Sequence, residues 1–235
     1  MIQINSSSKI LVIAAHPDDE ILGCGGCISN WSDMGAEAHA LILAEGLTSR
    51  SDKQHEYMVS TSAIENLRKN AHDSADIIGY QSIYFEAFPD NRMDGVELLD
   101  IVQTVSTHIE RLQPDMVLTH HHGDLNIDHR ITFQAVITAC RPLASCPVKT
   151  IISFETPSAT EWNFPYHENT FSPNIFVDVT AHIDKKLAAM NCYETEVRHA
   201  PHPRSPESLR ATAARWGSVI EKPYAEALEL IRAIP

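Results

Sequence analysis

Short apolar runs alternate with segments of helical periodicity along most of the chain, and this alternation constrains the fold more than any other feature. Short apolar runs between turn residues are typical of strands buried on both faces, and helices are the usual connections between parallel strands. We therefore predict an α/β fold, a Rossmann-like, mostly parallel sheet with helices on both faces. The predicted strands cover 10–15, 38–43, 83–85, 116–119, 151–154 and 175–179, and the predicted helices cover 20–34, 60–78, 96–112, 129–139 and 181–197.

The rest of the chain is predicted to belong to the same unit. The tail is predicted to form two more helices within about 206–232. No Gly/Ser-rich linker, repeat or change of composition divides the chain, so we predict a single domain over residues 1–235. Three longer stretches without a regular pattern each follow a predicted strand, and such loops commonly form walls or lids of binding sites. They lie at about 45–58, 86–95 and 155–174.

The charge balance excludes some classes of partner. The chain has 18 Lys and Arg residues against 31 Asp and Glu residues, a formal net charge of −13. Nucleic acids and anionic membranes select basic surfaces, so neither is predicted as the main partner. No window approaches 18 apolar residues, and no membrane span is predicted. Whether the chain forms a homo-oligomer is left open.

The cysteines and the amino terminus indicate a cytoplasmic protein. Five cysteines are an odd number, which suits a reducing compartment better than a disulfide framework. The first residues lack the basic segment and long apolar run of a secretory signal. Cys24 and Cys27 match C-x-x-C, but no second pair completes a zinc ribbon, so we predict buried thiols on a helix.

Polar side chains follow the first predicted strand, where the chain reads Ala15-His16-Pro17-Asp18-Asp19-Glu20. Open α/β sheets bind their ligands at the carboxyl ends of the strands. His16 and Asp19 are three residues apart across a strand-to-helix turn, so both side chains can point to one place while Asp18 points elsewhere. Imidazoles and a carboxylate around one open position form the usual catalytic zinc site, and a neighbouring carboxylate can act as general base.

A second polar cluster, residues 124–129, follows the predicted strand 116–119. In a sheet of strand order 3-2-1-4-5 the first and fourth strands are neighbours, so the two clusters meet and His129 becomes the natural third ligand. Each cluster alone has an ordinary explanation, as acidic residues at a helix N-terminus or as a helix cap beside a surface histidine. The two together favour a Zn²⁺ site.

The motif A-H-P-D-D-E at 15–20 and the motif D-x-N-x-D-H-R at 124–130 resemble those of the PIG-L/LmbE family of zinc-dependent N-deacetylases. The resemblance extends through Arg68, the turn at 88–90 and the segment 201–205. It implies a hydrolase that removes an acetyl group from a small-molecule N-acetylated sugar or glycoconjugate. It also implies a role for seven residues: His16, Asp19 and His129 as Zn²⁺ ligands, Asp18 as general base, Arg68 and Asp90 as sugar contacts, and Asn126 as a catalytic residue.

The chain departs from the family's pattern at position 126, where many relatives have a histidine proposed to stabilise the oxyanion or to protonate the leaving amine. Asn126 can donate a hydrogen bond to an oxyanion but cannot transfer a proton. The proton would then come from Asp18 or from a histidine of 120–122.

Three alternatives stay open at this point. A metal-dependent phosphoesterase usually needs carboxylates for two metals, and the clusters offer few beyond Asp18 and Asp19. A catalytically inactive, metal-binding family member has only Asn126 in its support. A nucleotide-binding module is disfavoured, because the acidic turn before Gly23 would repel a pyrophosphate.

Overall fold

The computed structural model describes residues 4–44, 46, 61–164 and 170–235. Seven strands of this part form one sheet: β1 (Lys9–Ala14), β2 (Glu37–Ala44), β3 (Ser82–Phe88), β4 (Met116–His120), β5 (Thr150–Phe154), β6 (Ile175–Asp178) and β7 (Ala225–Ala233). Their order is β3-β2-β1-β4-β5-β7-β6. The first five strands in this order, β3-β2-β1-β4-β5, pair in parallel, and β7 runs antiparallel to both β5 and β6. The predicted mostly parallel sheet with the order 3-2-1-4-5 is confirmed.

Helices cover both faces of the sheet, as predicted. They are α1 (Asp19–Asp33), α2 (Thr61–Ile78), α3 (Leu98–Leu112), α4 (Ile127–Ala139), α5 (Ile183–Asn191) and α6 (Pro206–Val219). Side chains alternate along β1, so that Ile10 and Val12 pack under α1, α2, α5 and α6 while Leu11 and Ile13 pack under α3 and α4. None of the described helices is long and apolar enough to cross a membrane.

The tail differs from the prediction. Helix α6 forms, but residues 225–233, predicted as a second helix, are strand β7. Alanine, leucine and glutamate favour helices when nothing else decides. Here the segment lies between β5 and β6 and forms a ladder with each of them, and this tertiary pairing outweighs the local preference. The predicted loop at 45–58 lies outside the described residues apart from Gly46.

Helix α1 is interrupted at Cys24, whose φ of −148° and ψ of 16° are not helical. The interruption frees the backbone amides of the next turn, and the Glu226 carboxylate accepts from two of them, at 3.0 Å from Gly26 and 2.6 Å from Cys27. The predicted burial of Cys24 and Cys27 as free thiols is confirmed. Their segment is thus a bent helix tied to β7.

We expect Lys186→Met to lower the free energy of unfolding by about 3–5 kcal/mol, because it leaves the Glu226 carboxylate as an unpaired buried charge. Lys186 Nζ lies 2.6 Å from Glu226 Oε1 and also donates to the carbonyl of Leu22 at 2.8 Å. Lys185→Met is the matched control, because its half-exposed partner is Asp33 and such surface pairs contribute at most about 1 kcal/mol. Urea unfolding followed by circular dichroism measures both. Equal effects for the two variants would show that loss of Lys186 does not leave Glu226 as a costly unpaired charge.

Candidate metal centre

The two polar clusters lie side by side at the carboxyl ends of β1 and β4, which are neighbours in the sheet. His16 precedes α1, Asp19 begins it, and His129 lies in the first turn of α4. The His16 Nδ1 atom is 3.3 Å from His129 Nε2 and 3.3 Å from Asp19 Oδ2, and the latter two atoms are 3.2 Å apart. The structure therefore brings the three predicted ligands together. We refer to these three atoms as the ligand triangle.

The ligand triangle has the dimensions that a zinc ion requires. Tetrahedral coordination with bonds of about 2.0–2.1 Å places neighbouring ligand atoms about 3.3 Å apart. The other carboxylate oxygen of Asp19 is buried and has no hydrogen-bond partner among the described residues. The side chain of His16 is 12% exposed, whereas those of Asp19 and His129 are each 1% exposed. His16 is therefore the most exposed member of the triangle.

Carboxylates orient both imidazoles. The His16 Nε2 atom lies 3.1 Å from Asp90 and 3.1 Å from Asp128. The His129 Nδ1 atom lies 3.2 Å from Asp124 Oδ1, at ion-pair distance although off the line of an ideal hydrogen bond. A carboxylate at one ring nitrogen keeps the proton there and turns the lone pair of the other nitrogen toward a metal. His16 is thus arranged to bind through Nδ1 and His129 through Nε2.

The same carboxylates shift the pKa values of the ligands. Burial disfavours a charged His129, but Asp19 and Asp124 outweigh burial and raise its pKa to about 9. The pKa of His16 is also raised, because its carboxylate neighbours, Asp128 first among them, overcome the cost of burial. Burial alone would raise the pKa of Asp19, but the imidazole charges, that of His129 first, bring it well below its ordinary value. The buried carboxylates around the triangle therefore favour positive charge at this centre.

Asp124 and Asp128, to which the sequence prediction gave no role, contact the imidazoles of His129 and His16. Asp124 accepts a hydrogen bond from Thr160 Oγ1 at 2.8 Å. Asp128 is fully buried and accepts from the amides of Asn91 and Met93 at 2.6 and 3.0 Å. Their place in the motif, five residues and one residue before the predicted ligand His129, is the sequence signal that could have indicated these contacts.

Asp18, the predicted general base, is not part of the ligand triangle. It is the N-cap residue of α1, with a φ of +115° that costs a non-glycine residue about 1–3 kcal/mol. Its carboxylate accepts from Arg204 Nη1 at 2.7 Å. Burial raises the pKa of Asp18, and the charge of Arg204 opposes that rise. The family resemblance in the sequence includes the segment 201–205, but no local pattern indicated the contact between Arg204 and Asp18.

The two predicted sugar contacts lie in different surroundings. Asp90 is buried and holds His16 through the contact described above. Arg68 lies on the exposed side of α2, with its guanidinium 5.4 Å from the centre of the Phe85 ring. For both residues, contact with a substrate stays a prediction.

Asn126 is the N-cap residue of α4. Its side-chain oxygen accepts from the Asp128 amide at 2.8 Å, and its amide nitrogen donates to Asn91 Oδ1 at 2.9 Å. This nitrogen carries a second hydrogen, so the predicted bond from Asn126 to an oxyanion does not require loss of the bond to Asn91, and this role stays a prediction.

Two of the three consecutive histidines are poor proton donors. His120 is buried against His129, with ring centroids 3.8 Å apart, and its Nε2 atom accepts from the Ala15 amide at 2.9 Å. Burial lowers the pKa of His120 to about 3 and that of His121 to about 4. Both imidazoles are therefore neutral near pH 7.

Comparisons with known proteins bear on the family and the fold of the chain. The profile of the PIG-L family, described as GlcNAc-PI de-N-acetylase, matches residues 11–140, more than half of the chain. The chain is 26% identical to the diacetylchitobiose deacetylase of Thermococcus kodakarensis, covering 98% of this chain and 85% of that protein. It is 28% identical to the 4-oxalmesaconate hydratase of Pseudomonas putida, covering 77% and 71%. The solved N,N′-diacetylchitobiose deacetylase of Pyrococcus horikoshii shares its fold, with a TM-score of 0.74, 23% identity and coverage of 96% and 84%.

Proposed function

The chain belongs to the PIG-L family, and from this premise we propose that it is a Zn²⁺-dependent N-deacetylase that acts on a small-molecule N-acetylated sugar or glycoconjugate. The observation that carries the proposal is the ligand triangle of His16, Asp19 and His129, together with the buried carboxylate of Asp18, the residue before Asp19. The similarity to a diacetylchitobiose deacetylase supports the class of substrate.

The proposed mechanism divides the work between the metal and a few side chains. When bound, Zn²⁺ would polarise the acetamide carbonyl and lower the pKa of the attacking water. Asp18 takes the proton from that water while Arg204 holds its carboxylate in place. Asn126 donates to the developing oxyanion. Asp18 then returns the proton to the leaving amine, and His120 and His121 carry no proton to give near pH 7.

Asn126→Ser is expected to separate the two roles of this residue. Serine caps a helix about as well as asparagine, so the free energy of unfolding should change by no more than about 0.5 kcal/mol. The serine side chain is, however, too short to reach an oxyanion. The kcat should fall by about 10²–10³-fold, the usual cost of one oxyanion donor. Steady-state kinetics with zinc content and a urea midpoint on the same sample checks both. An unchanged kcat would leave Asn126 as a cap only.

A second candidate function is hydration of an unsaturated carboxylate, which the similarity to a hydratase favours.

A two-metal phosphoesterase has less support. Among the described residues, the other groups of close metal-type side chains share His16 or His129 with the ligand triangle, so they form no independent second site.

We propose that residues 1–235 form one deacetylase domain and that the protein is cytoplasmic. The free state of the described cysteines supports a reducing compartment. The net charge of −13 supports a small-molecule substrate over a nucleic-acid partner. The oligomeric state stays a question for sizing in solution.

The proposed function is tested by identifying products from a mixed panel of substrates. N-acetylglucosamine, N,N′-diacetylchitobiose, N-acetylated nucleotide sugars, unsaturated dicarboxylates and sugar phosphates are each incubated with the zinc-loaded protein and followed by proton NMR. We expect equal amounts of acetate and free amine from at least one N-acetylated sugar. Hydration of a double bond or release of phosphate, without acetate from any sugar, would overturn the proposal. No turnover of any compound would favour an inactive family member.

A further inference from the structure

Glu20 ends the A-H-P-D-D-E motif, yet it contributes no atom to the ligand triangle. It is 1% exposed, and a carboxylate is seldom buried without a specific partner. Its Oε2 atom accepts from the backbone amide of Asp18 at 3.0 Å. Its Oε1 atom accepts from the hydroxyl of Tyr193, which is itself fully buried, at 2.5 Å. The two oxygens of Glu20 therefore join the backbone of the proposed base to a distant part of the chain.

The backbone of Asp18 needs such a partner. Its φ of +115° lies in a region that residues with a side chain rarely adopt, and such conformations persist only where the surrounding structure holds them. The Asp18 carbonyl already accepts from the amides of Ile21 and Leu22 at 3.0 and 2.9 Å, at the start of α1. The Asp18 amide donates to the Glu20 carboxylate, a side chain of the first turn of α1.

Glu20 is itself fixed by two tyrosines from separate parts of the fold. Tyr193 follows α5, and Tyr80, between α2 and β3, donates from its hydroxyl to the Glu20 carbonyl at 3.3 Å. A side chain held at both its carboxylate and its backbone can hold a neighbour in turn.

We propose that Glu20 and Tyr193 form a clamp that holds Asp18 in its left-handed backbone conformation, in which the Asp18 carboxylate accepts from Arg204. The inference rests on the proposed function, in which Asp18 is the general base. Glu20 acts through Asp18 and is therefore a positioning residue.

Two substitutions of Glu20 test the clamp. Glu20→Gln keeps an acceptor for the Asp18 amide and a polar group for Tyr193, so its kcat should stay within about threefold of the original. Glu20→Met has a similar volume without these bonds, and its kcat should fall by about 10–100-fold at an unchanged KM and zinc content, because small misplacements of a reacting group have effects of this size. Tyr193→Phe, a milder change, should lower kcat by about 3–10-fold, and it serves if Glu20→Met does not fold.

A double-mutant cycle separates positioning from general structural damage. If Glu20 acts only through the Asp18 carboxylate, Glu20→Met should have no further effect on kcat in an Asp18→Asn background. A merely structural role would lower kcat equally in both backgrounds and would overturn the proposal, as would wild-type kcat in Glu20→Met and Tyr193→Phe.

A crystal structure of Glu20→Met, or of Tyr193→Phe if the former does not fold, tests the clamp independently of activity. We expect Asp18 to leave the left-handed region, and an unchanged φ there would overturn the proposal. Absence of acetate release by the unmodified protein would count against the proposed function, whereas this structural result concerns the clamp alone.

Discussion

Replacing His129 with alanine is expected to empty the metal centre and to reduce acetate release to the background rate. The His129 Nε2 atom supplies one corner of the ligand triangle, and the other corners are too few to hold a zinc ion firmly. His16→Ala should have the same effect, since it removes a second corner. Elemental analysis of the purified variants, beside an acetate assay on the same samples, measures both consequences.

His72→Ala is the matched control for these two variants. His72 is an exposed histidine on α2 whose ring packs edge-on against Phe85. The His72→Ala variant should keep about one zinc per chain and the full rate of acetate release. Full zinc content in both His16→Ala and His129→Ala would refute the ligand assignment.

Asp18→Asn is expected to keep zinc and fold while its kcat falls by about 10²–10⁴-fold, as for the loss of a general base. Asparagine has the size of aspartate, and its side-chain oxygen can still accept from Arg204, but it takes no proton from water. The exposed Asp184 provides the control, and Asp184→Asn should leave kcat unchanged. Loss of zinc from Asp18→Asn would make Asp18 a ligand, and an undiminished kcat would exclude it as the base.

The ligand triangle could be predicted because its signals are local. His16 and Asp19 share one turn after an apolar strand, and His129 follows the strand that the order 3-2-1-4-5 places beside the first. Parallel strands direct their carboxyl ends to one edge of a sheet, so topology alone brings the two clusters together.

The surroundings of the triangle could not be predicted because they depend on contacts between distant parts of the chain. Arg204 reaches Asp18 and Tyr193 reaches Glu20 from beyond α5, and no local spacing connects either pair. The incorrect prediction of a helix at β7 has a similar origin. Its residues favour a helix locally, and only the ladders with β5 and β6 make it a strand.

The most direct test of a zinc-dependent deacetylase is the rate of acetate release as zinc is returned to metal-free protein. The protein is stripped with a chelator, its metal content is measured, and zinc is added stepwise with the best substrate of the panel. We predict no acetate release without metal and a linear rise that ends at about one zinc per chain. Full acetate release from protein shown to be metal-free would contradict the account.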